Sequence, residues 1–401
     1  MPRQLFTGGK VFDGTGAPIA VADVVVEDGR FVEVGTGLDG DESIDLGGRT
    51  LLQGLFDCHV HVMLTHLNVF RLIHTPFSLR FFEAARNLEL TLKAGITTVR
   101  DAGGADLGVK QAVEDGLVNG PRMQISIGMI SQTGGHGDCW TVSGDAVHLL
   151  PPPHPGAPDT IVDGPEEMRK KVRELVRHGA DVIKVASSGG VFSSRDDPKH
   201  AHFRDEELRT LVVEATAAGI PAMAHAQSNE GIKSAVRAGI TSIEHGIYLD
   251  DEAIEMMLDA GTYLVPTLLA PAGVVAAAEE GISIPDNVLR KAREVVEVHR
   301  ESFRMAVGAG VKIALGTDSA VTPHGENLGE LQLMVEGGMT PADALVAATR
   351  SSSELMGLDA ELGTIEPGKR ADLVVVEGDP FDFKTLPGRI ESVYKDGERA
   401  V

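Results

Sequence analysis

Two histidines spaced by one residue, His59 and His61, follow an apolar run that ends at Phe56, with Asp57 and Cys58 between. In an extended strand successive side chains alternate faces, so both imidazoles project from the same side. Imidazole suits first-row divalent ions, but two ligands make only the beginning of a site. Four further ligand-type residues stand in or at the ends of later apolar runs: Lys184 in DVIKVA, His225 in MAHA, His245 in IEHG and Asp318 in ALGTDS. Each has an ordinary reading when taken singly. A strand-end histidine is usually a satisfied structural group, a buried lysine is usually paired, and an Asp before Ser is often a helix cap. Six such residues in one register, in a chain with 14 histidines, point instead to a common site.

The set contains imidazole and carboxylate but no thiolate, which favours Zn, and after it Mn, Fe, Co or Ni, over copper(I). An ammonium among cation ligands is explained if burial and nearby metal charge depress the lysine pKa. The free amine then adds CO2 and becomes a carbamate, an anionic group able to bridge two ions. Two ions about 3.5–4 Å apart clamp both the nucleophile and the scissile group. The expected cofactors are two divalent metal ions and a CO2-derived carbamate on Lys184.

The elements that must position these groups alternate. Strand-like runs recur at Leu51–Phe56, Thr97–Asp101, Met123–Ile130, Asp181–Ala186, Pro221–Ala226, Thr241–His245, Thr262–Thr267 and Lys312–Asp318. Helical patterns lie between them, as at Glu83–Ala94, Glu166–His178, Asp205–Ala218 and Asp251–Ala260, and several end at a glycine suited to a left-handed cap. The pattern predicts an α/β fold, a (β/α)8 TIM barrel, with a doubly wound sheet as the alternative. In such barrels functional groups sit at the C-terminal ends of the strands. Both chain ends are instead β-rich, which predicts a small β-sandwich built from residues 1–53 and 362–401 around a barrel of residues 54–361. Residues 131–164, rich in Gly, Pro, His and Ser, interrupt the rhythm and are expected to form a lid.

The 401 residues include 36 Lys+Arg and 59 Asp+Glu, a formal charge of −23. That balance argues against nucleic acid or an anionic membrane as partner and leaves a small-molecule substrate. The two cysteines, Cys58 and Cys139, suggest neither a disulfide framework nor a thiolate site. MPRQLFTGGK lacks the apolar region of a signal peptide, and no run reaches transmembrane length. A cytoplasmic location is expected.

The ordered set, together with GGKVFDGTG, GLFDCHVH, AGITTVRDAG, IKVASSGG and the closing ELGTIEPGKRADLVVVEGDP, resembles the amidohydrolase superfamily in its binuclear form with a carboxylated lysine. SQTGGHGD at 131–138 and SSGGVFSSRDDP at 187–198 are similar to its imidazolonepropionase-like and Xaa-Pro-dipeptidase-like branch. The resemblance implies His59, His61 and Asp318 around a buried metal, His225 and His245 around a more exposed one, and Lys184 on both. It implies attack by a bridging hydroxide, with Asp318 carrying the proton to the leaving nitrogen and His136 of the lid donating to the substrate carbonyl oxygen. The reaction implied is hydrolysis of an amide-type C–N bond, in a dipeptide or N-acyl amino acid foremost. A cyclic amide, carbamate or urea-like xenobiotic is the alternative, and a catalytically inactive barrel serving as a binding module is the remote one. Homo-oligomers are common among such barrels. Candidate substrate contacts are Tyr248, Arg195, Trp140, His324 and Gln227. At Gln227 dipeptide-cleaving relatives carry an aromatic residue, so this chain departs from them there.

Overall fold

The computed structural model describes residues 2–193 and 196–401. The chain opens with strands β1 (Gln4–Thr7), β2 (Lys10–Phe12), β3 (Ala20–Val21), β4 (Asp23–Glu27), β5 (Arg30–Gly35), β6 (Glu42–Asp45) and β7 (Thr50–Gln53). It closes with β16 (Leu373–Val376), β17 (Ile390–Lys395) and β18 (Glu398–Arg399). These form two sheets, ordered β5-β4-β1-β6 and β18-β17-β16-β7-β2-β3, so both chain ends share one sheet. Phe6, Val24, Val26 and Phe31 of the first sheet pack against Leu51, Leu373, Val375 and Tyr394 of the second. The Phe6 and Tyr394 rings meet edge to face at 5.1 Å, a favoured aromatic geometry.

The middle of the chain runs β8 (Leu55–Val60), α1 (Val69–His74), α2 (Leu79–Lys93), β9 (Ile96–Asp101), α3 (Leu107–Glu114), β10 (Arg122–Ile125) and β11 (Met129–Ile130). It continues through α4 (Pro165–Arg177), β12 (Ile183–Ala186), α5 (Asp205–Ala217), β13 (Ala222–Ala226), α6 (Asn229–Ala238), β14 (Ser242–His245), α7 (Asp251–Ala260) and β15 (Tyr263–Val265). Five helices follow before β16: α8 (Leu269–Glu279), α9 (Asp286–Ala309), α10 (Gly329–Glu336), α11 (Pro341–Ala347) and α12 (Arg350–Leu355). All the middle strands pair in parallel, in sheets ordered β10-β9-β8 and β11-β12-β13-β14-β15. Parallel strands covered by helices on their outer face are buried throughout and read as continuous apolar runs, as IKVA and AMAHA do.

Three expected strands differ in detail, and the first, Leu51–Phe56, is split between the end of β7 and the start of β8, which belong to different sheets. Met123–Ile130 is not one strand but two, β10 and β11, which belong to different sheets. The break is at Ile127, whose φ of +67° takes the chain out of extended geometry, and its carbonyl accepts from Gly104 N at 2.9 Å. Lys312–Asp318 is not a regular strand, because Asp318 has a φ of +58°. The segment is nonetheless bonded on both sides. Ala314 N donates to Leu264 O at 3.1 Å, and Cys58 N and His61 N donate to Leu315 O and Ser319 O at 2.8 and 2.9 Å. On the other flank Asp181 N donates to Ile125 O at 2.8 Å, joining β10 to the start of β12.

Helix ends follow the glycine signals. Gly239, Gly261 and Gly310 cap α6, α7 and α9 in the left-handed region. Among the described residues no helix is long and apolar enough to cross a membrane.

Candidate metal centre

His59 and His61 stand at and just past the end of β8, with ring centroids 5.4 Å apart. His225 and His245, on β13 and β14, extend the group: His59 to His245 is 5.1 Å and His245 to His225 is 4.6 Å. Asp318, from the segment between β15 and α10, brings Oδ1 to 3.3 Å from His61 Nε2 and 3.6 Å from His59 Nε2. One ligand atom each from His59, His245 and Asp318 lie within 4.8 Å of one another, close enough to hold one metal ion. His245 and Asp318 both have positive φ, +72° and +58°. That is costly for residues with a Cβ and is commonly found where a functional group must be aimed.

Each imidazole is oriented through its other nitrogen. His59 Nδ1 donates to Glu244 Oε2 at 2.7 Å and His61 Nδ1 donates to Gly103 O at 2.8 Å, which leaves Nε2 of both rings facing Asp318. His225 Nε2 donates to Gly189 O at 3.2 Å, leaving Nδ1 free. His245 Nδ1 bonds Thr267 Oγ1 at 2.7 Å. Such partners fix the tautomer and raise the basicity of the ligating nitrogen. Glu244 is itself held by Arg100 Nη2 at 3.0 Å and Ser242 Oγ at 2.6 Å, so this buried carboxylate is paired.

Burial, and after it the nearby positive groups, drives His59, His225 and His245 well below the usual imidazole range, so their lone pairs are free. For His61 burial, the largest single effect, works downward too, but the Asp318 hydrogen bond, the charges of Asp318 and Asp101 and the Gly103 carbonyl together turn the net direction up. Burial would raise the Asp318 carboxyl, yet the His61 bond and the charges of His59, His61 and Lys184 hold it well below the usual carboxylate range. Lys184, on β12, is buried, and Nζ has no hydrogen-bond partner. Burial pushes its ammonium down to about 8. A sealed, unpartnered amine beside imidazole lone pairs and a carboxylate fits a cation-binding centre and has no place in an ordinary ion-pair network.

Residues 131–164, the expected lid, reach the same place. His136 lies flat on His225, with centroids 4.1 Å apart and planes 17° apart, and its Nδ1 donates to Asp196 Oδ2 at 2.9 Å. Leu149 and Leu150 of the lid pack on Leu64, Leu72 and Ala320. Gln227 is buried with Oε1 unpartnered, and its carbonyl accepts from Tyr248 N at 2.9 Å. Tyr248 is half-buried, with Lys199 Nζ 5.7 Å from its ring centre. His324 donates through Nε2 to Leu64 O at 2.9 Å, and burial pushes it down to about 4. Trp140 is 48% exposed, on a lid turn that bridges to Ala146. Arg195 falls outside the described residues. A cavity of about 600 Å3 beside Asp196 is lined by Gln132, Lys199, His200, His202 and Lys291 among others. None of the four clustered imidazoles lines it, so the chemistry is located by the rings and not by this hollow.

Sequence reasoning missed the supporting residues: Glu244, Arg100, Asp57, Thr267, Asp196 and Lys291. Glu244 and Arg100 stand inside the quoted strand motifs, yet only their contacts distinguish them. Asp57 accepts from Thr317 Oγ1 at 2.6 Å and Asn327 Nδ2 at 2.7 Å, tying β8 to the Asp318 segment, and burial pushes its carboxyl up to about 6.

Residues 50–400 match the model of the Amidohydrolase family. The chain is 34% identical to ochratoxinase of Aspergillus niger, over 97% of this chain and 85% of that protein. A solved Xaa-Pro dipeptidase with methionine bound in its active site is 32% identical and superposes with a TM-score of 0.90 over 99% of both chains. A solved prolidase complexed with N-methylphosphonate-L-proline is 35% identical, with a TM-score of 0.90 over 99% of both chains. The likeness runs through the strands that converge on the ring cluster, and the chain belongs to the amidohydrolase family, as a metal-dependent hydrolase of amide-type C–N bonds.

Proposed function

We propose that this enzyme cleaves the amide bond of a dipeptide or an N-acyl amino acid at a pair of divalent ions, Zn foremost. His59, His61 and Asp318 would hold one ion, His225 and His245 the other, and Lys184, as its carbamate, both. The observation that carries this reading is the buried Lys184 amine, which has no partner yet stands among four imidazoles and a carboxylate. Ions held there supply Lewis-acid polarisation of the carbonyl and water acidified toward neutrality. The protein's own groups do the rest. Asp318 turns Oδ1 toward the imidazoles, so Oδ2 is the atom that takes the proton from water and hands it to the leaving nitrogen. With His136 Nδ1–H held by the Asp196 carboxylate, the ring, protonated on both nitrogens, turns Nε2–H to the carbonyl oxygen as negative charge grows on it. The strand ends fix these positions before substrate arrives.

The dipeptide reading is also supported by the two solved dipeptide-cleaving relatives, and ochratoxinase keeps an N-acyl substrate beside it. Gln227, Tyr248 and His324 are the described candidates for contacts around the substrate, with Trp140 on the lid rim. The wider architecture follows the same reading. Residues 54–361 form a (β/α)8 barrel closed by the segment 312–319, residues 1–53 and 362–401 form a β-sandwich, and residues 131–164 form the lid. The protein works in the cytoplasm as a homo-oligomer. An apolar face on α1 and α2, with Phe70, Ile73, Phe77, Leu79 and Phe82 exposed, supports self-association.

The test is a hydrolysis screen with enzyme reconstituted with Zn, Mn or Co and bicarbonate, across dipeptides, N-acyl amino acids, lactams and aryl ureas. Two metals per chain are expected, and turnover that depends on a free α-carboxylate. Equal rates on neutral amides would overturn the dipeptide reading, and fewer than one metal per chain the paired-ion reading.

A further inference from the structure

The helical insert between β15 and the Asp318 segment reaches back to the lid. Lys291, on α9, is 5% exposed. Its ammonium donates to Gly190 O at 2.7 Å, Ser193 O at 2.8 Å and Asp196 O at 3.0 Å, and lies 3.4 Å from Asp196 Oδ1. An ammonium has three protons, and three carbonyls of the loop after β12 take them. Asp196 Oδ2 accepts from Gly190 N at 3.1 Å and from His136 Nδ1 at 2.9 Å. The side chain of Asp196 is 2% exposed, so its carboxylate depends on these protein partners.

The His136 ring is thereby fixed on three sides. The carboxylate holds its Nδ1 edge, His225 lies under its face at 4.1 Å, and Gly190 leaves the space that Cε1 fills. A Cβ at Gly190 would stand 2.2 Å from His136 Cε1. Rotating the ring by half a turn about its Cβ–Cγ bond would take Nδ1 away from Asp196 and leave a buried carboxylate with one hydrogen bond fewer.

We propose that Lys291 and Asp196 are positioning residues for the hydrolysis: Lys291 fixes the loop after β12, the loop aims Asp196, and Asp196 holds the His136 ring so that Nε2 faces the substrate carbonyl. The insert is then part of the catalytic apparatus although none of its atoms meets the substrate. This rests on the reading of His136 as the group that contacts substrate, and the experiment separates the two.

The measurements are kcat and KM on the best substrate of the screen above, metal content, and the imidazole nitrogen shifts of His136 in protein labelled with 15N-histidine. Asp196→Ala and Lys291→Met are each expected to lower kcat about 10–100-fold, as loss of an orienting partner does, with KM nearly constant and metal content unchanged. Lys291→Arg keeps the charge and should recover most of kcat. In a His136→Ala background neither change should lower kcat further. In the nitrogen spectrum, wild-type His136 should carry a proton on each nitrogen, Nδ1–H bonded to Asp196 and Nε2–H facing the substrate, and Asp196→Ala should remove the hydrogen-bonded Nδ1 signal. Asp196→Asn, which keeps the volume and one acceptor, guards against misfolding and should retain Nδ1 protonation. The proposal is overturned if His136 keeps its nitrogen shifts in Asp196→Ala and Lys291→Met. It is also overturned if Lys291→Met costs as much kcat in His136→Ala as in wild type, the mark of a purely structural role. A His136→Ala variant of full activity, with the nitrogen shifts responding as described, would instead overturn the substrate-contact reading.

Discussion

An ammonium with no oxygen to bind, sealed among imidazoles, is costly to fold. Burial pushes Lys184 down to about 8, which eases the loss of its proton, and a carbamate would turn the deficit into two ligand atoms. Replacing it removes the proposed bridge but leaves the imidazoles. Lys184→Ala should therefore fold, lose at least about 100-fold in kcat/KM, and bind less than half the wild-type metal by elemental analysis. Unchanged turnover would refute the carbamate role. The six ligand types were legible because alternation along a strand puts His59 and His61 on one side and because apolar runs announce where strands end. Their partners were not. Glu244, which orients His59, is 185 residues away in sequence, and no periodicity links a donor to an acceptor across that distance. Lys291 looked like one more cation on a charged helix, and only its three carbonyl partners reveal its task.

Elements, in turn, are legible where periodicity governs them and illegible where a single residue bends the chain. The β/α alternation gave β12, β13 and β14 within a residue or two. The Asp318 segment is not a regular strand and turns left-handed at Asp318, and Gly316 lets it press close: a Cβ there would stand 2.3 Å from Val265 Cγ1 and 2.9 Å from His59 Cβ. Helix α8 supplies another case. Its N-cap is Leu268, which offers no side-chain acceptor. Glu330, on α10, accepts from Leu268 N at 2.7 Å and Leu269 N at 2.8 Å, so one helix caps another. Burial nevertheless pushes this carboxyl up to about 8, against about 4.3 when unfolded. The folded state thus binds the extra proton between those values. Its contribution is fully present below pH ~4 and is lost as pH rises toward ~8. Glu330→Gln cannot ionise. In urea unfolding, the wild type should lose stability relative to Glu330→Gln from pH 5 to pH 9, at up to ~1.4 kcal/mol per unit of pKa difference. A gap that does not change with pH would show that Glu330 does not titrate in this window.

At the scale of the whole molecule, the β-rich ends announced themselves by hairpin signals, but nothing in them revealed that β16 would lie between β7 and β17. Such pairing spans most of the chain and is set by shape, not by local pattern. Surface chemistry was equally hidden. The chain carries a formal charge of −23, yet Cys58 to Phe82 contains no Asp or Glu. Copies of so acidic a protein repel one another, and contact is cheapest on an apolar patch such as that around Phe70 and Phe82, which are 73% and 75% exposed. In sedimentation velocity the wild type should therefore run larger than one chain, and the double variant Phe70→Asp, Phe82→Asp should run as a monomer; identical sedimentation of the two would rule this face out. The reach of Lys291 has a consequence in time. Asp196 precedes it by 95 residues, so at about 5–20 residues per second the ribosome releases the lid and the loop after β12 roughly 5–20 s before their fastener. During that interval the contacts by which Lys291 holds Asp196 are missing, and with them the bearing they give His136.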